Sequence, residues 1–219
     1  MALLLGPAGF GLMGVYNSVF ELARAIAGMG VNSSGVRQIA DAVGSGDSQR
    51  IARTVIVLRR VSVVLGLLGA LLLVATAVPV SKQTFGDTSH AHGVMLLGLA
   101  VFFRLVSDGQ GALIQGMRRI KDLAVAVVLG ALLSMILLVA LVWAFGEEGI
   151  VPGLVMAALV SLVVSWHFSR KVKIDRVPMP QAEVRREANA LLKLGFAFMA
   201  TGMMSMGVAY LVRVILRQQ

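Results

Sequence analysis

The 219-residue sequence contains no cysteine. That excludes a disulfide framework, a thiol nucleophile and a cysteine-based zinc site. Charge is scarce too: Asp, Glu, Lys and Arg make up 14% of the chain, where soluble domains carry about 25%. Aromatic residues reach only 6%, and there are three histidines and five prolines. The space is filled by hydrophobic residues, 58% of the total, for a mean hydropathy of +0.86. Such a profile excludes a disordered chain and a disulfide-stapled secreted domain. The acidic side is the poorer one, 11 residues against 20 basic, which gives a net charge of +9. A pI near 11.1 resembles that of a DNA-binding domain. In so apolar a chain, however, Lys and Arg serve first as membrane topology signals, and no nucleic-acid partner is expected.

A bilayer core about 30 Å thick is crossed by about 20 mostly apolar helical residues. Six segments fit: 12–31, 61–81, 91–115, 123–145, 149–168 and the slightly short 194–212. No alternating strand pattern competes with them. The segment 123–145 has neither charge nor proline. A cleaved leader is not expected at the N-terminus, which lacks a basic start and whose first apolar run is interrupted by Glu21 and Arg24. The fold class is therefore all-α, a polytopic membrane helix bundle of about six transmembrane helices.

The connecting regions divide by charge. Region 32–60 carries Arg37, Arg50, Arg53, Arg59 and Arg60. The loop 116–122 carries Arg118, Arg119 and Lys121, and region 169–193 carries Arg170, Lys171, Lys173, Arg176, Arg185, Arg186 and Lys193. On the opposite side stand Lys82 with Asp87, Glu147 with Glu148, and the tail residues Arg213 and Arg217. Positive residues stay cytoplasmic, so the N-terminus is expected on the periplasmic side of a bacterial inner membrane. Trp143, Trp166, Tyr16 and Tyr210 fall at span ends, where amphipathic rings favour the interface.

Within region 32–60, Ser33-Ser34 is expected to cap a helix Gly35–Val43, Gly44-Ser45-Gly46 to break it, and Asp47-Ser48 to cap the helix entering the second span. Residues 1–168 form a five-span bundle. Residues 169–193, with Pro178 and Pro180, read as a cytoplasmic linker that ends in an amphipathic stretch from Gln181 to Lys193. Residues 194–219 open a second bundle. The 24 glycines, among them Gly66, Gly98, Gly130 and Gly202, suit close helix packing.

Charges at bilayer depth cost about 2.5–3.5 kcal/mol each on insertion scales, and they normally face a protein interior or a wet cavity. In the first span Asn17, Glu21, Arg24 and Gly28 fall on one helix face. In the third, Arg104, Asp108, Gly111 and Gln115 repeat the same spacing. The functional reading is a hydrophilic cavity in which Arg24 and Arg104 receive an anionic head group, since a guanidinium donates in a fork that suits phosphate. Asn17, Glu21, Asp108 and Gln115 complete the candidate substrate-binding set. The plainer reading makes Glu21–Arg24 and Arg104–Asp108 local pairs that neutralise each other. The two are compatible, because a paired arginine can exchange partners.

Other motifs carry less. Asp108-Gly109 with Ala112 resembles the start of a CDP-alcohol phosphotransferase signature, but Leu113 stands where that signature has arginine, and its further aspartates are absent. His90 and His92 read as loop residues, and His167 as interfacial. The arginines of 50–60 have aliphatic residues between them, as in a membrane-proximal helix that touches anionic lipid. No catalytic constellation, metal site or cofactor is expected, so the chain does not read as an enzyme.

Particular strings then matter: Leu5-Gly6-Pro7 with Gly9 and Gly11-Leu12; Gly28 and Gly30 leading into Val31-Asn32-Ser33-Ser34-Gly35-Val36-Arg37; Gln110 through Ala124; and Lys193-Leu194-Gly195. Together they resemble the O-antigen and polysaccharide flippases of the multidrug/oligosaccharidyl-lipid/polysaccharide exporter superfamily. The resemblance covers nearly the whole chain. It implies transport of an undecaprenyl-diphosphate-linked oligosaccharide across the inner membrane by alternating access, in O-antigen or lipopolysaccharide biosynthesis. It also implies membrane lipids and polysaccharide polymerase machinery as partners. Arg24 and Arg104 are the residues that would match the family's intramembrane arginines. Family members have about twice as many spans, and their Leu-Gly-Pro string follows a first helix. On that reading the chain is a fragment covering spans two to seven, inactive unless a second bundle is supplied. A cation antiporter for drugs or toxins, and a non-transporting membrane scaffold, are the competing functions; an enzyme acting on lipid-linked sugars lacks its catalytic cluster.

Overall fold

The computed structural model describes residues 2–172, 174 and 177–217, with side chains from 5 to 201 within that set and at 204. Lys173, Arg176, Tyr210, Arg213 and Arg217, used in the topology argument, lie outside the described side chains, as does Gly202. Eight α-helices occur among the described residues, and no strand. They are α1 (Ala2–Gly28), α2 (Val31–Gly44), α3 (Ser48–Ala75), α4 (Ala77–Phe85), α5 (Ala91–Gly116), α6 (Ile120–Phe145), α7 (Ile150–Ser169) and α8 (Gln181–Arg217). A single 3₁₀ turn, Gly146–Gly149, joins α6 to α7.

Among the described residues, three stretches are long and apolar enough to cross a membrane: Ser48–Ala75, Ala91–Gly116 and Ile120–Ser169, the last holding both α6 and α7. Three of the six expected spans lie there whole, and 61–81 in part. The segment 12–31 falls mostly on α1, which carries Glu21 and Arg24 within its run, and 194–212 falls on α8, mostly outside the described side chains.

Local chemistry sets most boundaries. Asp47 caps α3: its carboxylate accepts the N–H groups of Gln49 (2.8 Å) and Arg50 (3.2 Å). The expected Ser33-Ser34 cap does not form. α2 begins earlier, at Val31, behind Gly30 in a left-handed conformation (φ 66°), and the Ser34 hydroxyl instead donates to the Val31 carbonyl. The expected span 61–81 is also divided. α3 stops at Ala75 because a continuous helix would need the N–H of Pro79 to reach the Ala75 carbonyl, and proline has none. In α1, Gly6 (φ 68°, ψ 179°) just before Pro7 kinks the helix near its start.

α5 is the central helix. It packs on α3, α7, α2 and α1, and Val94, Leu97, Ala100, Val101, Ala112, Leu113 and Ile114 are fully buried along it. Gly66 and Gly98 bring α3 and α5 together: a β-carbon on either would stand 3.0 Å or less from the opposite helix. Gly130 makes no such contact; it lines a cavity instead. α6 is the opposite of α5. Only Ala126, Gly130 and Val142 are buried on it, and Val127, Val128, Leu132, Met135 and Ile136 are exposed, as suits a face toward lipid. Three apolar clusters result among the described residues, the smallest formed by Ile114, Ala126 and Phe168; the other two are larger. One gathers Tyr16, Phe20, Leu73, Val94, Leu97 and Val101 with α6 and α7 residues; the other gathers Val31, Ile39, Val55, Leu58, Leu113 and Leu191.

α8 belongs to the second core through Leu191, and Glu183 reaches Arg53 of α3 at 2.8 Å. The boundary expected at 193 thus falls inside one continuous helix. Trp143 and Trp166 are exposed, as interfacial rings should be. Tyr16 is not: it is 5% exposed, mid-helix in α1, with its hydroxyl 2.9 Å from His90 Nδ1. The reason is that α1 starts ten residues before the expected span, which shifts Tyr16 from end to middle.

Candidate functional site

The two polar stripes face each other between the apolar cores. Arg24 Nε donates to Asp108 Oδ2 at 2.8 Å, linking α1 to α5. Arg24 Nη1 donates to Glu21 Oε2 at 2.8 Å. Arg104 Nε stands 3.4 Å from the other Asp108 oxygen, with no hydrogen-bond geometry satisfied at that buried nitrogen. Asp108 is thus shared by two guanidiniums, and its side chain is 17% exposed against 48% for Glu21. The local pairs of the plainer reading both exist. The α1–α5 bridge is the addition that sequence spacing did not supply.

The charged seam borders two cavities. The larger, about 450 Å³, lies between α1, α5, α6 and α7, and its wall includes Asn17, Glu21, Arg104, Asp108 and Gln115. The smaller, about 280 Å³, lies between α1, α2, α3, α5 and α8 and is lined by Arg24, Asn32, Ser33, Ser62 and Asp108. Five of the six expected residues therefore line one cavity, and Arg24 faces the other. Asp108 and Asn32 border both. Two guanidiniums meet two carboxylates, so the seam is close to neutral. The opposite side of the larger cavity is supplied by small and hydroxyl residues of α6 and α7, among them Ala131, Ser134 and Ser161.

Sequence spacing missed three residues. Asn32 donates to the Asp108 carbonyl at 3.3 Å; the left-handed turn at Gly30 carries it back toward the stripe that Gly28 ends. Ser62 is 4% exposed, and its hydroxyl has no partner. Gln110 is 8% exposed and lies within reach of the Ser165 and Ser169 hydroxyls of α7 at 3.2 and 3.4 Å. A polar residue one turn off a stripe was its only signal. No cluster of three or more metal-ligating side chains occurs among the described residues; His90 precedes α5 without a side-chain capping bond and meets the Tyr16 hydroxyl, and His92 is exposed.

Apolar helices of membrane-crossing length, folded around an ion-paired seam that borders two cavities, define an all-α membrane protein. Sequence comparison narrows the class: residues 1–217 match the family described as polysaccharide biosynthesis protein, and the chain belongs to that family. No curated protein and no solved structure matches it.

Proposed function

We propose that the chain moves an undecaprenyl-diphosphate-linked oligosaccharide, O-antigen or a similar glycan, across the bacterial inner membrane, and that it is a transporter rather than an enzyme. The observation that carries the reading is Arg24 and Arg104 sharing one carboxylate, Asp108, which borders both cavities, with Arg24 on the wall of one and Arg104 on the wall of the other. A guanidinium at that depth is costly unless it has a task or a partner, and here the partner is exchangeable. An anionic head group would compete with Asp108 for both arginines. Membership of a polysaccharide biosynthesis family supports a glycan cargo. Alternating access, a periplasmic N-terminus and contact with polymerase machinery are parts of the same proposal. An antiporter for cationic drugs would want excess carboxylate in the cavity, and the seam has none to spare.

The test is complementation of a flippase-deficient strain, with the chain expressed alone and in any longer form its gene encodes. Arg24→Ala and Arg104→Ala are expected to abolish rescue, and the lysine variants to keep part of it, since lysine retains charge but not the fork. Full rescue by both alanine variants would remove the head-group role.

A further inference from the structure

We propose that the N-terminus of α2, together with Arg24 and Ser62, is a binding site for a phosphoryl anion in the smaller cavity. The inference rests on the transport reading only for its cargo; its geometry is independent. α2 runs for 14 residues and starts behind Gly30, with no side chain capping it. Its first-turn N–H groups, those of Val31, Asn32 and Ser33, have no acceptor within the helix. The lack of a cap has a packing cause. Gly30 must be glycine both for its left-handed turn and because the Gly195 carbonyl of α8 lies against it, so the capping position has no side chain to offer. Val31, Asn32 and Ser33 line the cavity. A helix start with free N–H groups attracts anions through those donors and through its dipole.

Ser62 supplies an independent observation. Thr54, Ser161 and Ser165, also inside helices, return their hydroxyls to a carbonyl three or four residues back. Ser62 does not: its hydroxyl is buried, lines the same cavity and has no hydrogen-bond partner. A buried donor without a partner is expensive, and a ligand oxygen would satisfy it. Arg24 adds a full positive charge on the same wall, and Phe198 and Met199 of α8 shield the site with apolar surface.

The opposing charge is Asp108, which also lines this cavity. An arriving anion takes Arg24 from it, and Asp108 passes to Arg104, whose Nε is 3.4 Å away without a hydrogen bond. Glu21 keeps its contact with Arg24 Nη1. The chemical class is a phosphate or diphosphate, carried by a lipid or free in solution.

The experiment titrates the purified full chain with inorganic pyrophosphate, and in a second arm with an isoprenoid diphosphate, by calorimetry and thermal shift. Ser62→Ala is expected to weaken binding about tenfold, the effect of one hydrogen bond to a charged group. Ser33→Asp places a carboxylate in the first turn of α2. It is expected to abolish binding and yet raise the Tm of the free protein by about 1–3 °C, which a merely disruptive change would not do. Binding of the lipid alone, lost in Ser33→Asp, assigns the site to a lipid head group; binding of both ligands assigns it to the diphosphate itself. Wild-type affinity in both variants, or binding of neither ligand to the wild type, overturns the proposal. If Arg24→Ala alone loses binding, the arginine role stands and the α2 site falls. If Ser33→Asp abolishes binding yet leaves rescue of the deficient strain intact, the site stands and the transport reading falls.

Discussion

α5 carries polar side chains on two sides, and they behave differently. Toward α1 it presents Arg104 and Asp108, charged and bordering the cavities. Toward α7 it presents Ser107 and Gln110. Ser107 donates to the Ser161 carbonyl at 3.0 Å, and Gln110 meets the Ser165 and Ser169 hydroxyls. The neutral joint is buried, and each α7 serine hydroxyl, with one proton to give, donates either to Gln110 or to its own helix, at Leu162 and Trp166; no charge is stranded in either arrangement. The charged seam has two cations for Asp108 and two anions for Arg24. A neutral joint fixes two helices, whereas a shared carboxylate lets partners change with little net loss of pairing. On one helix, then, a neutral joint and a charged, exchangeable seam meet the same larger cavity from neighbouring faces.

The strongest way to break this comparison is Asp108→Ala. It strands two guanidiniums, and is expected to lower stability by about 1–3 kcal/mol, less than the roughly 3–5 kcal/mol of a fully buried pair because the seam is partly exposed. Combining it with Arg24→Leu should restore part of that loss in thermal unfolding, since the charge left unpaired is removed as well. A smaller effect is expected from Gln110→Ala: about 1 kcal/mol, a fall in Tm of about 2–4 °C, with rescue activity retained. Loss of rescue with intact stability would show that the α7 joint moves too, and the contrast would fail.

The Arg53–Glu183 tie between α3 and α8 is half-exposed and should contribute less than about 1 kcal/mol. Arg53→Ala is expected to reduce the salt dependence of unfolding more than the stability itself. The least effect concerns Asp87 in the loop before α5. The Ser89 hydroxyl and N–H bond its carboxylate and hold its pKa below the usual value. Its small contribution to stability is present above the carboxylate's unfolded pKa and disappears as pH falls through the depressed one. Ser89→Ala should flatten that acid limb in a pH series of thermal unfolding.

Much of this arrangement was legible in advance. The apolar runs from 91 to 115, 123 to 145 and 149 to 168 became α5, α6 and α7 within a residue or a few at each end, because length and apolarity fix a helix in lipid and the turns hold glycine. The stripes were readable because 3.6-residue periodicity places Glu21 with Arg24 and Arg104 with Asp108. The Arg24–Asp108 bridge was not, since it spans 84 residues and depends on which faces of α1 and α5 meet. The α2 start escaped for a similar reason. Serines at 33 and 34 favour a cap, but contact with α8 selects Gly30. Ser62 looked like any serine in an apolar helix; its missing partner exists only in three dimensions.

That contact between Gly30 and Gly195 also bears on tolerance to mutation. It is made by backbone alone, so the side chains around it can drift without changing it, while a single added methyl at either glycine meets the opposite main chain. In a saturation library of this chain, positions 30 and 195 should therefore read as two narrow points within variable surroundings. They should also fail together, since a smaller residue than glycine does not exist to compensate for a change at the other.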